Sequence, residues 1–176
     1  MTLQEINERW PLFRVEQNGE MFIINLDLKK VNTSKYHVKN FDKPTIEYLE
    51  HQYKTLVQIK YLSELFPNLY FSPFGLWIVK KYKMRDGSVE SLDGAAVKTN
   101  FKFWEPDLEL LKVLNQKADK AVNDSKNYFW CSEHEQSMPW VDYGGFFWTA
   151  QYCSECCNKP SIKAALKEAS QPGYYD

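Results

Sequence analysis

The sequence predicts an α+β protein in which an antiparallel sheet is packed by two to four helices, and three observations carry that prediction. Asparagine- or aspartate-glycine pairs stand between aromatic and β-branched runs, which marks hairpins. Other segments repeat apolar residues every three or four positions, which marks amphipathic helices. Aromatics make up 16% and hydrophobics 44% of the 176 residues, too much apolar surface for a disordered chain. A chain of this length fits one domain and can bury roughly 70% of the surface its unfolded form exposes.

Thr2 and Glu5 have capping-box spacing, and Leu3, Ile6 and Trp10 share one side of a two-turn helix that Pro11 ends. Phe13 to Gln17 and Glu20 to Leu26 then flank Asn18-Gly19, a pair suited to the two positive φ angles of a type I′ turn. Leu28 to Phe41 is polar and aperiodic, and reads as a loop or irregular edge strand. From Pro44 to Phe66 the residues Ile46, Leu49, Tyr53, Leu56, Ile59, Leu62 and Phe66 make one apolar face of a long helix that should lie across a sheet. Pro67 stops it.

Gly75 to Met84 reads as a strand, Asp86-Gly87 as a hairpin turn and Asp93-Gly94 as a further turn. Val97, Thr99, Phe101 and Phe103 alternate with Lys98, Asn100 and Lys102, the period of a strand with one dry and one wet face. After Pro106, Asp107 and Glu109 open a helix whose apolar face is Leu108, Leu111, Leu114, Ala118, Ala121 and Val122, ending near Asn123. Asn127 to Cys131 and Phe146 to Cys153 read as aromatic strands around a loop containing Pro139 and Gly144-Gly145. Pro160 opens a last helix bearing Ile162, Ala165, Leu166 and Ala169. Residues 1–126 thus form an α+β core, and residues 127–176 a C-terminal element with a terminal helix, within the same domain.

The 22 basic and 23 acidic residues leave a net charge of -1, so no strong positive field drives non-specific binding to nucleic acid or membrane surfaces. Met1 to Pro11 carries charges at Glu5, Glu8 and Arg9 and reads as no apolar h-region, and the longest uncharged apolar run, Phe74 to Val79, is far below a membrane span. A cytoplasmic location without membrane contact is expected. In that reducing setting four cysteines between Cys131 and Cys157 point to metal ligands or free thiols before disulfides.

Cys131-Ser-Glu-His134 and Cys153-Ser-Glu-Cys156 are two ligand pairs with a two-residue gap, 18 residues apart, each at the end of an aromatic strand. The gap lets both side chains of a pair converge on one ion, and four N and S donors close a tetrahedral shell. A closed shell is structural. Cys157 is either a buried thiol or a replacement for Cys156 as fourth ligand. Over Tyr128 to Cys157 the layout resembles a zinc ribbon with one histidine for a cysteine, although Glu135 and Cys157 stand where a glycine often follows each knuckle. That resemblance implies a structural zinc. The competing readings are unliganded thiols and a redox pair; a redox Cys153/Cys156 pair would want a βαβ setting, and none is visible.

Cys131-x-Glu133 followed by Cys153-x2-Cys156 also superficially resembles the zinc deaminase signature, in which Glu133 would shuttle protons and a water would fill the fourth site. Tyr152 replaces its proline, the spacer is not helical, and His134 is at hand to close the shell. His37 and His51 read as surface residues.

Two surfaces are candidates for partners. Lys80, Lys81 and Lys83, with Lys98 and Lys102, could form a basic face beside Tyr82 and Trp104 that holds nucleic acid, or merely keep a sheet soluble. Met138 to Trp148 concentrates aromatics in an expected loop, and exposed Trp140, Tyr143 and Phe146 would suit a protein-binding hot spot. The functional expectation is a non-enzymatic, zinc-stabilised interaction or regulatory protein that binds a protein partner through these aromatics. The alternatives are a nucleic-acid-binding module on the lysine face and a zinc-dependent deaminase-like or hydrolytic enzyme.

Overall fold

The computed structural model describes residues 1–26, 35–72, 74–144 and 149–169, and among these it is mixed α+β with antiparallel sheets and four α-helices. Three three-stranded sheets replace the single sheet expected.

Helix α1 (Leu3–Arg9) opens with the full capping box: the Thr2 hydroxyl accepts from the Glu5 N–H, and the Glu5 carboxylate accepts from the Thr2 N–H. Ile6 and Trp10 are buried. Strands β1 (Phe13–Asn18) and β2 (Met21–Leu26) pair with Asn18 opposite Met21. The turn residues are therefore Gly19 and Glu20, one place later than Asn18-Gly19. Of the two only Gly19 has a positive φ, at 63°. Glycine at the first central position is what a type II′ turn asks for, in place of the expected type I′. Strand β3 (Lys35–Val38) adds to the free side of β2, so the edge strand expected within Leu28 to Phe41 exists in its second half.

Helix α2 (Lys43–Leu65) is capped by the Asp42 carboxylate, which accepts from the Thr45 N–H. Its apolar face serves two cores in succession. Leu49 and Leu56 join Ile6, Trp10, Phe13, Ile24 and Val38 of the first sheet region. Within the next two turns, Ile59 and Leu62 join Leu69, Phe71, Leu76 and Ile78 of the second. A 23-residue helix is about 35 Å long, enough to span both.

Strands β4 (Leu69–Ser72), β5 (Gly75–Lys83) and β6 (Val89–Ala96) make the second sheet in that order. The β5–β6 reversal falls at Asp86-Gly87 as expected: Gly87 has a φ of 86° and donates to the Met84 carbonyl, while the Asp86 carboxylate accepts from Ser88. Asp93-Gly94 is not a turn. It lies inside β6 at a bulge, where Trp77 faces Ala96 but Val79 faces Asp93. A Cβ on Gly94 would stand 2.5 Å from the Ile78 carbonyl oxygen, so glycine is needed there for close backbone approach.

Val97 to Phe103 forms no strand. The burial alternation is real, with Val97 and Phe103 buried and Lys98, Asn100 and Lys102 exposed, but no ladder partner flanks it. Helix α3 (Leu108–Asn123), capped by Asp107, buries Leu111, Leu114, Ala118 and Val122 against the second sheet. Buried Asn68, just before β4, locks onto it: the Asn68 N–H donates to the Asn115 side chain and the Asn68 amide donates to the Asn115 carbonyl.

The third sheet follows in the order β7 (Tyr128–Cys131), β8 (Gln136–Gly144) and β9 (Thr149–Cys153). Strand β8 corrects the expected loop, because its first half, Gln136 to Pro139, pairs with β7 and its second half, Trp140 to Gly144, pairs with β9. A 3-10 turn (Cys156–Asn158) leads into α4 (Pro160–Ala169). No described helix is long and apolar enough to cross a membrane.

Candidate metal centre

Strand pairing brings the two ligand pairs to one end of the third sheet. Cys131 ends β7, and residues 132–135 turn the chain into β8, so Cys131 and His134 sit on a hairpin turn. The His134 N–H donates to the Cys131 carbonyl at 3.2 Å. Cys153 ends β9, and its sulfur accepts from the Cys156 N–H at 3.1 Å, which folds the second pair into a matching knuckle.

The four donor atoms all lie within 4.8 Å of one another. His134 Nδ1 is 3.2 Å from the Cys131 Sγ, 3.4 Å from the Cys153 Sγ and 3.8 Å from the Cys156 Sγ, and the Cys131 and Cys156 sulfurs are 3.8 Å apart. A tetrahedral ion with bonds of about 2.3 Å to sulfur and 2.0–2.1 Å to nitrogen requires S···S edges of about 3.8 Å and S···N edges of about 3.5 Å. The cluster therefore has the dimensions of a Cys3His shell and could hold a metal ion. Cys131, Cys153 and Cys156 are buried, and Met138, Phe129 and Ile162 wall the cluster.

Cys157 is not part of it. Its thiol donates to the Ser154 carbonyl, which leaves Cys156 as the residue converging with the others.

Around the donors lies a layer of charge that sequence reasoning missed. His134 presents Nδ1 to the sulfurs and Nε2 to the Glu155 carboxylate at 3.1 Å. A carboxylate on the far nitrogen fixes the ring's tautomer and orientation and strengthens the ligand. The available signal was a glutamate immediately before a candidate ligand. Glu133 does not point at the cluster: it pairs with Lys98 at 2.8 Å and Lys159 at 3.8 Å. The Lys98 hydrogen bond and charge hold the Glu133 carboxyl below its ordinary range, and Glu133 raises Lys98 in return.

The thiols are unequal. Burial pushes Cys153 upward, but hydrogen bonds from Cys156 and Cys131 outweigh it, so Cys153 sits below the usual thiol range. Burial, with hydrogen bonding to Cys153 and Cys131, pushes Cys156 up to about 12. Cys153 is thus the readier of the two to ionise and Cys156 the more reluctant, and a cation entering the shell must displace the Cys156 proton.

The other candidate residues are dispersed. Lys80, Lys81 and Lys83 lie on β5, where alternation sends Lys81 and Lys83 to the face opposite Lys80. Lys81 hydrogen-bonds the Asn123 side chain, Lys80 stands over the Tyr82 ring, and Lys98 is committed to Glu133. Lys98 and Lys102 belong to an irregular segment and extend no sheet face. Trp140 is a half-buried residue of β8 opposite Cys153. The backbone of Tyr143 pairs with Ala150, but its side chain, like the whole of Phe146, lies outside the described residues. His51 packs on the exposed Trp104 ring and His37 is exposed on β3, both remote in sequence from the cluster.

No protein-family model, curated protein or solved structure matches the chain. The reading of its function rests on this geometry.

Proposed function

We propose that the chain is a non-enzymatic interaction protein in which one structural zinc ion, held by Cys131, His134, Cys153 and Cys156, fixes a ribbon-like C-terminal element. The observation that carries this reading is the set of donor separations, which fits a closed four-coordinate shell. Zinc suits it because three thiolates and an imidazole in tetrahedral array are a structural zinc donor set. Two features argue against hydrolytic or deaminase chemistry. His134 fills the position a reactive water would take, and Glu133, the would-be proton shuttle, is bound by two lysines.

The partner is a protein met by the β8–β9 hairpin, with Trp140 at the margin of its contact surface. A partly exposed Trp140 on a metal-braced strand offers large contact area at small entropic cost. The dispersal of the lysines gives the nucleic-acid alternative no observation in its favour.

Elemental analysis of purified protein should return one zinc per chain, and cobalt exchange should give the intense visible bands of a tetrahedral thiolate-rich site. Cobalt bands of a five- or six-coordinate ion would show an open shell and overturn the structural assignment. For the partner, binding that survives Trp140→Ala unchanged, or that weakens steeply as salt rises, would remove the aromatic-contact reading.

A further inference from the structure

Strand β3 is an outer strand of the first sheet, and the neighbouring hairpin fixes which of its backbone groups point outward. A two-residue turn closes on a hydrogen-bonded pair, here Asn18 with Met21, and such pairs recur at every second residue. Residues 21, 23 and 25 of β2 therefore bond to β1, whereas Phe22 and Ile24 bond to the residues opposite them on β3, Val38 and Tyr36. That leaves Lys35 and His37 with their N–H and C=O groups turned away from the sheet. Among the described residues no strand flanks that edge, and no turn or loop bonds to the backbone of either residue. An open row of this kind is a template for an added strand.

The edge also has a shelf. A groove of about 490 Å³ runs between β3 and the first turns of α2, with Tyr36, Val38, Pro44, Thr45 and Tyr48 among its walls. Tyr36 stands edge-on to Tyr48, 5.6 Å between ring centroids, and its hydroxyl donates to the Gln52 side chain at 3.1 Å. Tyr48 is 50% exposed, so its ring is open to a ligand. A strand bonded to β3 would lie about 4.7–4.9 Å from it and carry one row of its side chains over this groove.

Alternation sorts the charge. Tyr36 and Val38 face α2, whereas Lys35, His37 and Lys39 are exposed and take the other face. No carboxylate lines the groove, and none of these three makes an ion pair among the described residues. Lysines keep an edge from pairing with its like: a second copy of β3 would set lysine against lysine. An acidic strand meets the opposite condition.

We propose that β3 takes an added strand from a protein partner, an extended segment in which acidic residues alternate with apolar ones. Its backbone bonds to the outward groups of Lys35 and His37. Its acidic side chains lie beside Lys35, His37 and Lys39, and its apolar ones turn to the opposite face, toward Tyr36 and Tyr48. The site shares no residue with the metal cluster or the β8–β9 hairpin, so it stands or falls independently of the zinc assignment.

The test titrates the full metal-loaded chain, labelled with 15N, with a capped hexapeptide of alternating glutamate and valine. The Lys35 and His37 amide signals should shift saturably, with a Kd of about 1 mM or tighter. Both amides should also slow in hydrogen exchange as they gain acceptors. The glutamine-valine peptide, equal in shape and uncharged, should bind about tenfold more weakly. Methylating the glutamate nitrogens removes the donors of the new ladder and should abolish binding. His37→Pro deletes an outward N–H where an edge strand tolerates proline, and should abolish it too while the remaining amide spectrum keeps its positions. Lys35→Glu combined with Lys39→Glu should lose the glutamate peptide and gain a lysine-valine one, a swap that a misfolded edge would not show. No saturable shift, equal binding of the glutamate and glutamine peptides, or binding that survives methylation would overturn the proposal. So would equal shifts on oligothymidylate, a polyanion with no strand to add. Shifts at Lys35 and His37 that grow with protein concentration alone would assign the edge to a second copy and overturn it as well.

Discussion

The first two sheets and the third are held by different physics. Around α2, large side chains do the work: Ile6, Trp10, Leu49 and Ile24 in one cluster, Leu62, Leu69, Phe71 and Leu111 in the other, all essentially removed from water. The third sheet's own cluster contains three thiols and Met138, with Phe129 and Ile162 only partly buried against it. Among the described side chains this is the smallest of the three clusters, and ordering β8, β9 and α4 costs about 1–2 kcal/mol of backbone entropy per residue. The sheet is tied to the second core by Trp130 of β7, buried there beside the apolar face of α3, and to α3 by Ser137, which accepts from the Ala121 N–H and donates to the Lys117 carbonyl; the Cys/His cluster lies at its end. On the proposed reading one chain carries a hydrophobic region and a metal-dependent region, each failing for its own reason.

The largest effect should come from removing the metal. Chelation, or Cys153→Ser, is expected to cost the third sheet several kcal/mol, since metal binding energy in such small sites is folding energy. Hydrogen exchange should then lose protection across β8 and β9 while Ile24 and Leu49 stay protected. If both regions open together, or neither does, the contrast drawn above is wrong.

Cavity mutations probe the opposite side. Leu56→Ala and Leu62→Ala sit two turns apart on α2 and empty different clusters, and each should cost about 2–5 kcal/mol. Because one helix carries both positions, both variants should lower a single unfolding transition of the first two sheets. Two separate transitions would mean that α2 does not couple the cores. Metal affinity should barely change in either variant.

A finer effect concerns the ligand shell. Glu155→Gln keeps the size of the side chain but removes the charge facing His134 Nε2, and should weaken metal binding about tenfold or more. Competition with a chromophoric chelator measures it. An unchanged affinity would make Glu155 a surface acid that happens to lie near the ring.

Much of this was legible in the sequence because the signals were local. The capping box at Thr2, the faces of α2 and α3, the reversal at Asp86-Gly87 and the two-residue gap within each ligand pair are each fixed by residues a few positions apart. What the sequence hid depended on partners elsewhere. Strand β8 carries Pro139 and ends at Gly144, which reads as a loop, yet pairing first with β7 and then with β9 makes it a strand. Val97 to Phe103 shows the converse: alternation reports which side chains face the core and says nothing of whether a neighbouring strand supplies hydrogen bonds. Asp93-Gly94 carries the same letters as a turn, and only the nearness of the Ile78 carbonyl explains the glycine. The ion pairs of Glu133 and Glu155 arise from proximity that no spacing rule encodes.

The smallest effect sharpens the comparison at one residue. Glu135 follows His134 and has a φ of 46°, the sole non-glycine among the described residues in the left-handed region. That is the place where a glycine often completes a metal knuckle, and an L-residue there costs roughly 1–2 kcal/mol of steric strain. Glu135→Gly releases the strain but gives the unfolded chain more freedom, a loss of roughly 0.5–1 kcal/mol. The difference predicts a net gain of about 0.5–1 kcal/mol, confined to the third sheet and visible as slower metal release on chelation. Glu135→Ala keeps the Cβ and should gain nothing. If alanine and glycine behave alike, the backbone at 135 is not strained, and metal binding need not hold it there; if only glycine gains, part of the cluster's energy is being used to hold a turn that the sequence leaves uncomfortable.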